Sequence, residues 1–360
     1  MKMKKKITIS LIILTVIVAG IAIYFAQKPK EPETIKIGAM LPLTGPAAFF
    51  GQVAKAGLEL GVEDVKKFKG IKIDVIYEDS QANPGIALNS FRKLITRDKV
   101  DVIITTVYSV GMILKPEAEK NKVPLFATVI APNFPQGTKY VIRHAPLITD
   151  DVSLLLEFLN KNNVSKAVLL YQMDDYGQAF RDLLEKSNFK QKIISEPFNP
   201  KDGDFRSLIY KIIKFHPDVI SIVGFTQAVG TLIKQIRETG YSGLIHASLG
   251  FPFTPDFLKD ASYLKGVIYN GINLDENNEY IKSIYRRLKE RYGQEKPSSL
   301  SILFYDWAIL VGEVYSRYKI KSAEELITAV KSLKKLEYPG ISCEITSDGE
   351  IIVPSKLKIY

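Results

Sequence analysis

His144, His216 and His246 are the three histidines of the chain and Cys343 its one cysteine, so little metal or thiol chemistry can be assembled. None of the histidines form an H-x-x-x-H pair, the spacing that puts two imidazoles on one helical face toward zinc. One cysteine permits no internal disulfide and no thiolate cluster. His246-Ala247-Ser248-Leu249-Gly250 carries the serine and second glycine of a G-x-S-x-G nucleophile elbow, but a histidine replaces the first glycine. Ser248 therefore reads as a loop residue. The opening segment IKIGAMLPLTGPAAFFG has a strand followed by a turn, yet neither G-x-G-x-x-G nor G-x-x-x-x-G-K-[ST] appears. Both phosphate cradles are missing, and dinucleotide or ATP binding is not expected. No set of nucleophile, base and orienting group stands out, so the expectation is a protein without cofactor or metal that binds and is not an enzyme.

The net charge of +10 raises the question of a polyanionic partner. The bases interleave with acids, as in KDGDFR at 201–206 and KSIYRRLKERYGQEK at 282–296, a pattern of solvated helix faces with no aromatic stacking ladder. No nucleic-acid partner is expected. Residues 1–34 hold six lysines against two glutamates, a net +4, around an apolar run from Ile7 to Ala26. Its 20 residues would span about 30 Å as a helix, enough to cross a bilayer. The lysines ahead of it place the N-terminus in the cytoplasm and the remainder outside. No A-x-A site closes the run, so an uncleaved signal-anchor is favoured over a cleaved signal peptide. Residues 27–34, QKPKEPET, read as an extended spacer.

At 360 residues the chain should hold about two domains. From Ile35 on, short β-branched runs alternate with amphipathic stretches of helical length, the pattern of βα units on a parallel sheet. The runs 35–41, 71–77, 100–106, 123–128 and 140–145 make one series, and 167–172, 193–198, 219–224, 244–247 and 267–271 make another of similar length. Asp150-Asp151 reads as the N-cap of a helix from Val152. Residues 278–291, 298–318 and 323–333 are helical without strands between them, and 342–353 reads as a hairpin about Ser347-Asp348-Gly349. Trp307 falls in the stripe Leu300, Leu303, Phe304, Leu310, Val311 and Val314, which makes it a core residue in preference to a ligand-stacking aromatic.

Several segments in this order resemble the solute-binding proteins of the leucine/isoleucine/valine-binding type, the type I periplasmic binding proteins that serve ABC transporters. They are Ile35-Lys36-Ile37-Gly38, Pro42-Leu43-Thr44-Gly45-Pro46-Ala47, Phe50-Gly51, Tyr77-Glu78-Asp79-Ser80 with Asn83-Pro84, Ser109, Val123-Pro124, Arg143, Asp175-Tyr176-Gly177, Asp204-Phe205 and Tyr305-Asp306-Trp307-Ala308. The resemblance implies an α/β fold of two lobes forming a clamshell, each a mostly parallel sheet with helices on both faces. Lobe 1 would take 35–145 and 273–338, and lobe 2 146–272 and 339–360, with crossings near Ala145–Pro146, Ile272–Asn273 and Tyr338–Pro339. Binding residues would lie at the C-terminal ends of the strands in both lobes.

Carried over residue by residue, Ser109 matches the hydroxyl that receives the ligand carboxylate at a helix start. Tyr176 matches the aromatic of the second lobe and Phe50 that of the first. The loop after the fourth strand usually offers a second hydroxyl; here Ala131 is the counterpart, with Thr128 nearby. Phe225 replaces a common tyrosine. Leu249 falls where branched-chain binders place the glutamate for the ligand ammonium, leaving Asp174 or Asp175 as the nearby acids. An ammonium buried without a partner costs several kcal/mol, so an organic or aromatic acid competes with a branched-chain amino acid as ligand. The expected protein is a monomeric, extracellular substrate-binding component of an ABC importer, anchored at the membrane or secreted, that delivers its ligand to a permease. A ligand-sensing ectodomain of the same fold is the alternative.

Overall fold

The computed structural model describes residues 34–360 except 46, 132, 188, 190 and 191. The expected anchor and spacer thus lie outside the described residues, apart from Thr34. Among the described residues no helix is long and apolar enough to cross a membrane.

The chain opens with Ile35–Leu41 (β1), Ala48–Lys69 (α1), Ile73–Asp79 (β2), Pro84–Lys93 (α2), Val102–Thr106 (β3), Tyr108–Asn121 (α3), Leu125–Thr128 (β4) and Val141–Ala145 (β5). A second series follows: Ile148–Lys161 (α4), Lys166–Gln172 (β6), Asp175–Lys186 (α5), Lys192–Phe198 (β7), Arg206–Ile213 (α6), Val219–Val223 (β8), Gln227–Glu238 (α7), Leu244–Ala247 (β9), the short Pro255–Leu258 (α8) and Ile268–Ile272 (β10). The last part holds Glu279–Tyr292 (α9), Ser299–Arg317 (α10) and Ala323–Ser332 (α11), then Lys335–Tyr338 (β11), Ile341–Ile345 (β12), Glu350–Ile352 (β13) and Ser355–Ile359 (β14). Local chemistry sets several boundaries. Asn83 Oδ1 accepts the N–H groups of Gly85 and Ile86 with Pro84 at the first helical position, so α2 starts there. Ser298 caps α10 in the same way through Leu300 N–H.

Two mixed sheets result. The first runs β11-β12-β13-β5-β4-β3-β1-β2 and the second β14-β10-β9-β8-β6-β7. Both contain the same parallel kernel, β2-β1-β3-β4-β5 and β7-β6-β8-β9-β10, whose order reverses beside the first strand of each series. Central strands β3 (VIITT) and β8 (VISIV) are buried along their whole length, as expected of strands covered on both faces. Helix α10 is buried nearly all round. It lies so close to α1 that a Cβ on Gly57 would stand 1.8 Å from the Ser301 carbonyl oxygen. Glycine is required there because two backbones touch.

Two expectations need correction. The third passage between the sheets does not fall at Tyr338–Pro339: Pro339-Gly340, with Gly340 at φ 91°, turns β11 back against β12 with Tyr338 opposite Ile341. The terminal hairpin then adds β13 to β5 in parallel, Glu350 opposite Arg143, so 339–352 belong to the first sheet. Only β14 joins the second, antiparallel to β10. Asp150 and Asp151 do not cap α4 either; the helix already starts at Ile148, with Leu147 at its N-cap.

Candidate functional site

A cavity of about 500 Å³ lies where the C-terminal ends of strands from both sheets face each other, within the size range of small-molecule sites. On the first sheet it is walled by the start of α1 (Ala47, Phe50), the end of β3 into α3 (Thr106 to Ser109), the end of β4 and the loop after it (Thr128 to Ala131) and two leucines of α10, Leu300 and Leu303. The second sheet contributes Ile148, Asp174, Asp175, Tyr176, Ala179, Phe225 and Phe253. These are the switch points of two doubly wound sheets, where open α/β sheets hold ligands.

The polar groups on the first-sheet wall are mostly donors. Val107, between β3 and α3, has φ 72°, a backbone conformation that a β-branched residue adopts only under strain. This turn starts α3 at Tyr108 without a side-chain cap, so its first-turn N–H groups have no intrahelical partner. Ser109, in that turn, is exposed, and its hydroxyl makes no hydrogen bond among the described residues. Thr106 Oγ1 donates to the Thr128 carbonyl at 3.0 Å. Thr128 Oγ1 in turn accepts Trp307 Nε1–H at 2.8 Å. The indole is fixed by stacking on Phe126, centroids 4.9 Å apart, and by the edge of His144. His144 Nε2 lies 2.7 Å from Asp306 Oδ2, whose other oxygen takes the Tyr338 hydroxyl.

Behind the same wall is Arg143, with no exposed surface. Its Nε–H donates to the Val129 carbonyl at 2.7 Å, and its Nη groups donate to the carbonyls of Ala145 (3.2 Å) and Pro146 (2.8 Å) and to Glu350 (2.7 Å). One guanidinium thus holds the loop after β4, the first passage between the sheets and β13. Among the described residues no lysine or arginine side chain lines the cavity itself.

The second-sheet wall sets three aromatics, Tyr176, Phe225 and Phe253, beside two acids, Asp174 and Asp175. Asp174 caps α5 by accepting Gly177 N–H at 2.8 Å, and its second oxygen takes the Gln172 amide. Burial pushes its carboxyl above the usual range. Tyr176, one turn-position on, sets its ring 5.7 Å from Phe225, and Phe225 meets Phe50 edge-on at 5.8 Å. The last pair bridges the two sheets. The Tyr176 hydroxyl points away from the cavity and donates to Asp151 Oδ2. Asp151 is wholly buried and also accepts Asn270 Nδ2–H and Leu249 N–H, the latter at 3.0 Å. Burial raises its pKa to about 6. Asn270 Oδ1 lies 3.2 Å from His246 Nε2, and His246 Nδ1 lies 2.9 Å from Ser221 Oγ. Burial pushes His246 down to about 4, so it is neutral at pH 7.

The family model described as periplasmic binding protein matches residues 34–353. The chain belongs to the periplasmic binding protein family. The Leu/Ile/Val-binding protein homolog 3 of Brucella melitensis biotype 1 is 23% identical over 266 residues, 71% of this chain and 72% of that protein. The same fold is seen in LivJ, a branched-chain amino acid transporter substrate binding protein of Streptococcus pneumoniae in complex with isoleucine. The TM-score is 0.81 at 20% identity, covering 91% of this chain and 96% of that one. A solute binding protein of an ABC transporter from Rhodopseudomonas palustris BisB5, in complex with 3,4-dihydroxy benzoic acid, gives 0.78 at 21% identity, over 91% and 93% of the two chains. Family membership implies an extracellular or periplasmic location.

In this periplasmic binding protein six of the expected residues line one cavity: Phe50, Ser109, Thr128, Ala131, Tyr176 and Phe225. Leu249 does not. It is buried behind Tyr176 and meets Asp151 through its backbone. Ser248 is likewise buried, its Oγ accepting Gly224 N–H and Gly250 N–H. Sequence reasoning passed over Thr106, Phe253, Leu300, Leu303 and the role of Asp151. Thr105-Thr106, polar residues closing an otherwise apolar strand, were the signal for the first of these.

Proposed function

We propose that the chain captures a small carboxylate with an apolar body between two lobes built on the two sheets, and hands it to an ABC permease. The carboxylate would lie at the start of α3, receiving the Ser109 and Thr128 hydroxyl protons and the first-turn N–H groups, where the positive end of the helix favours an anion. The apolar body would rest against Phe50, Tyr176 and Phe225. The carrying observation is that one cavity brings the start of α3, with its first-turn N–H groups and the Ser109 and Thr128 hydroxyls, together with the aromatic surface of Phe50, Tyr176 and Phe225.

An α-amino acid would also need a partner for its ammonium. Leu249 offers none, and both oxygens of Asp174 are engaged within the protein. We therefore favour a carboxylate without an amine. Asp175, exposed on the cavity rim, keeps the branched-chain amino acid as the second reading.

Thermal melting with leucine, isoleucine, 4-methyl-2-oxopentanoate and 4-hydroxybenzoate tests this. A ligand at 100 times its Kd adds about 2.7 kcal/mol, which raises Tm by a few degrees. The expected result is stabilisation by one or both of the amine-free acids. Stabilisation by leucine and isoleucine alone would replace the favoured ligand with an amino acid, and no response to any carboxylate would remove the proposal.

A further inference from the structure

We propose that Trp307 is a specificity-determining positioning residue: by donating its one N–H to Thr128 Oγ1, it directs the Thr128 proton into the cavity and makes that wall a receptor for a hydrogen-bond acceptor. This rests on the proposed carboxylate site. Trp307 itself does not line the cavity and has no exposed surface.

An indole offers a donor and no acceptor, whereas a threonine hydroxyl has one proton and two lone pairs. With Trp307 Nε1 at 2.8 Å, one lone pair of Thr128 Oγ1 is taken. The hydroxyl proton has no acceptor among the described residues, and Thr128 opens onto the cavity while otherwise buried. The neighbouring Thr106 hydroxyl has already given its proton to the Thr128 carbonyl, so it supplies no competing donor. A buried O–H without an acceptor is costly, and a ligand oxygen removes that cost. The indole cannot turn away to release the arrangement. Phe126 stacks on one face, His144 abuts its edge, and His144 is itself held by Asp306. The apolar stripe of α10 thus carries a polar function: a core tryptophan fixes which way a binding hydroxyl points.

The test is a double-mutant cycle on the full chain with W307F, which keeps an aromatic ring but loses the N–H, and T128V, which loses the hydroxyl. Binding of 4-methyl-2-oxopentanoate and 4-hydroxybenzoate is measured by calorimetry. W307F is expected to weaken the bound acid about tenfold, the scale of one hydrogen bond. In the T128V background the same change is expected to have no further effect, a non-additivity that a purely structural role would not give. Trp307 is the only tryptophan, so its single indole N–H resonance reports the bond even if W307F folds poorly. That resonance should be protected from solvent exchange in the wild type, lose protection in T128V, and shift on adding the acid. Equal affinities of wild type and W307F, additive losses in the cycle, or an indole resonance indifferent to T128V would each overturn the inference while leaving the carboxylate site standing. Failure of the wild type to bind either acid would instead overturn the site, and the inference with it.

Discussion

At the scale of single residues, the site separates groups that serve the ligand from groups that serve the protein. Ser109 is exposed and its hydroxyl is bonded to none of the described residues, whereas the Tyr176 hydroxyl and both Asp174 oxygens are spent on Asp151, Gly177 and Gln172. S109A should therefore leave the melting temperature of the unliganded protein within about 1 °C, as expected of an exposed substitution worth under ~0.5 kcal/mol. It should weaken carboxylate binding roughly three- to tenfold, the cost of one hydrogen bond, readable by calorimetry. The departure at Leu249 has the same logic. The side chain is packed away and the position contributes only its N–H, to Asp151. The acid that Leu249 meets, Asp151, stands behind Tyr176, where it orients the phenol and does not line the cavity.

At the scale of elements, the second sheet is tied together by a relay. Asn270 Nδ2–H donates to both the carbonyl and the carboxylate of Asp151, which fixes the amide orientation and leaves Asn270 Oδ1 to accept from His246 Nε2–H. His246 Nδ1 then accepts from Ser221. The two titratable members pull stability in opposite directions. Asp151 is raised from 3.8 to about 6, so the folded chain binds more protons than the unfolded one between these values and this group lowers stability as pH rises from 4 to 6. His246 is lowered from 6.5 to about 4, so the unfolded chain binds more protons and this group lowers stability as pH falls from 6.5 to 4. Each shift is worth on the order of 3 kcal/mol, and in the shared window they offset. Relative to wild type, D151N should lose stability on acidification from pH 6.5 to 4, and H246Q should gain it from pH 6 to 4. Urea unfolding at both ends of the range would read the two slopes; parallel curves for all three proteins would refute the offset.

At the scale of the whole molecule, each sheet is finished by residues from the far end of the chain. β13 lies beside β5 at a separation of about 200 residues, and β14 beside β10. Helix α10 covers α1 and supplies both cavity leucines and Trp307. A fragment ending at Ile272 keeps both parallel kernels but loses these partners, leaves the Gly57 face of α1 uncovered, and strips Arg143 of Glu350. Removing one partner of a buried ion pair alone costs about 3–5 kcal/mol. Residues 35–272 should therefore show no cooperative thermal transition by circular dichroism, whereas 35–360 should melt in one. A cooperative melt of the shorter chain would mean that the kernels fold as independent beads.

The βα rhythm was legible because burial of a strand or helix face imposes a period on the chain wherever it occurs, and six of the seven expected site positions, those that line the cavity, were legible because they follow strand ends marked by short turn motifs. These are local properties, and the sequence by itself determined them: two series of βα units, a chain poor in Cys and His, and strand-to-helix junctions carrying Phe50, Ser109, Tyr176 and Phe225. The tertiary structure alone decided that the terminal hairpin completes the first sheet, that Asp151 is a buried hub and not a helix cap, that Leu249 faces inward, and that Trp307 aims the Thr128 hydroxyl. The reason is physical. Pairing of β13 with β5, and of one buried polar group with another, joins residues 100 to 200 positions apart, and no local periodicity encodes which distant partner satisfies a strand edge or a buried proton.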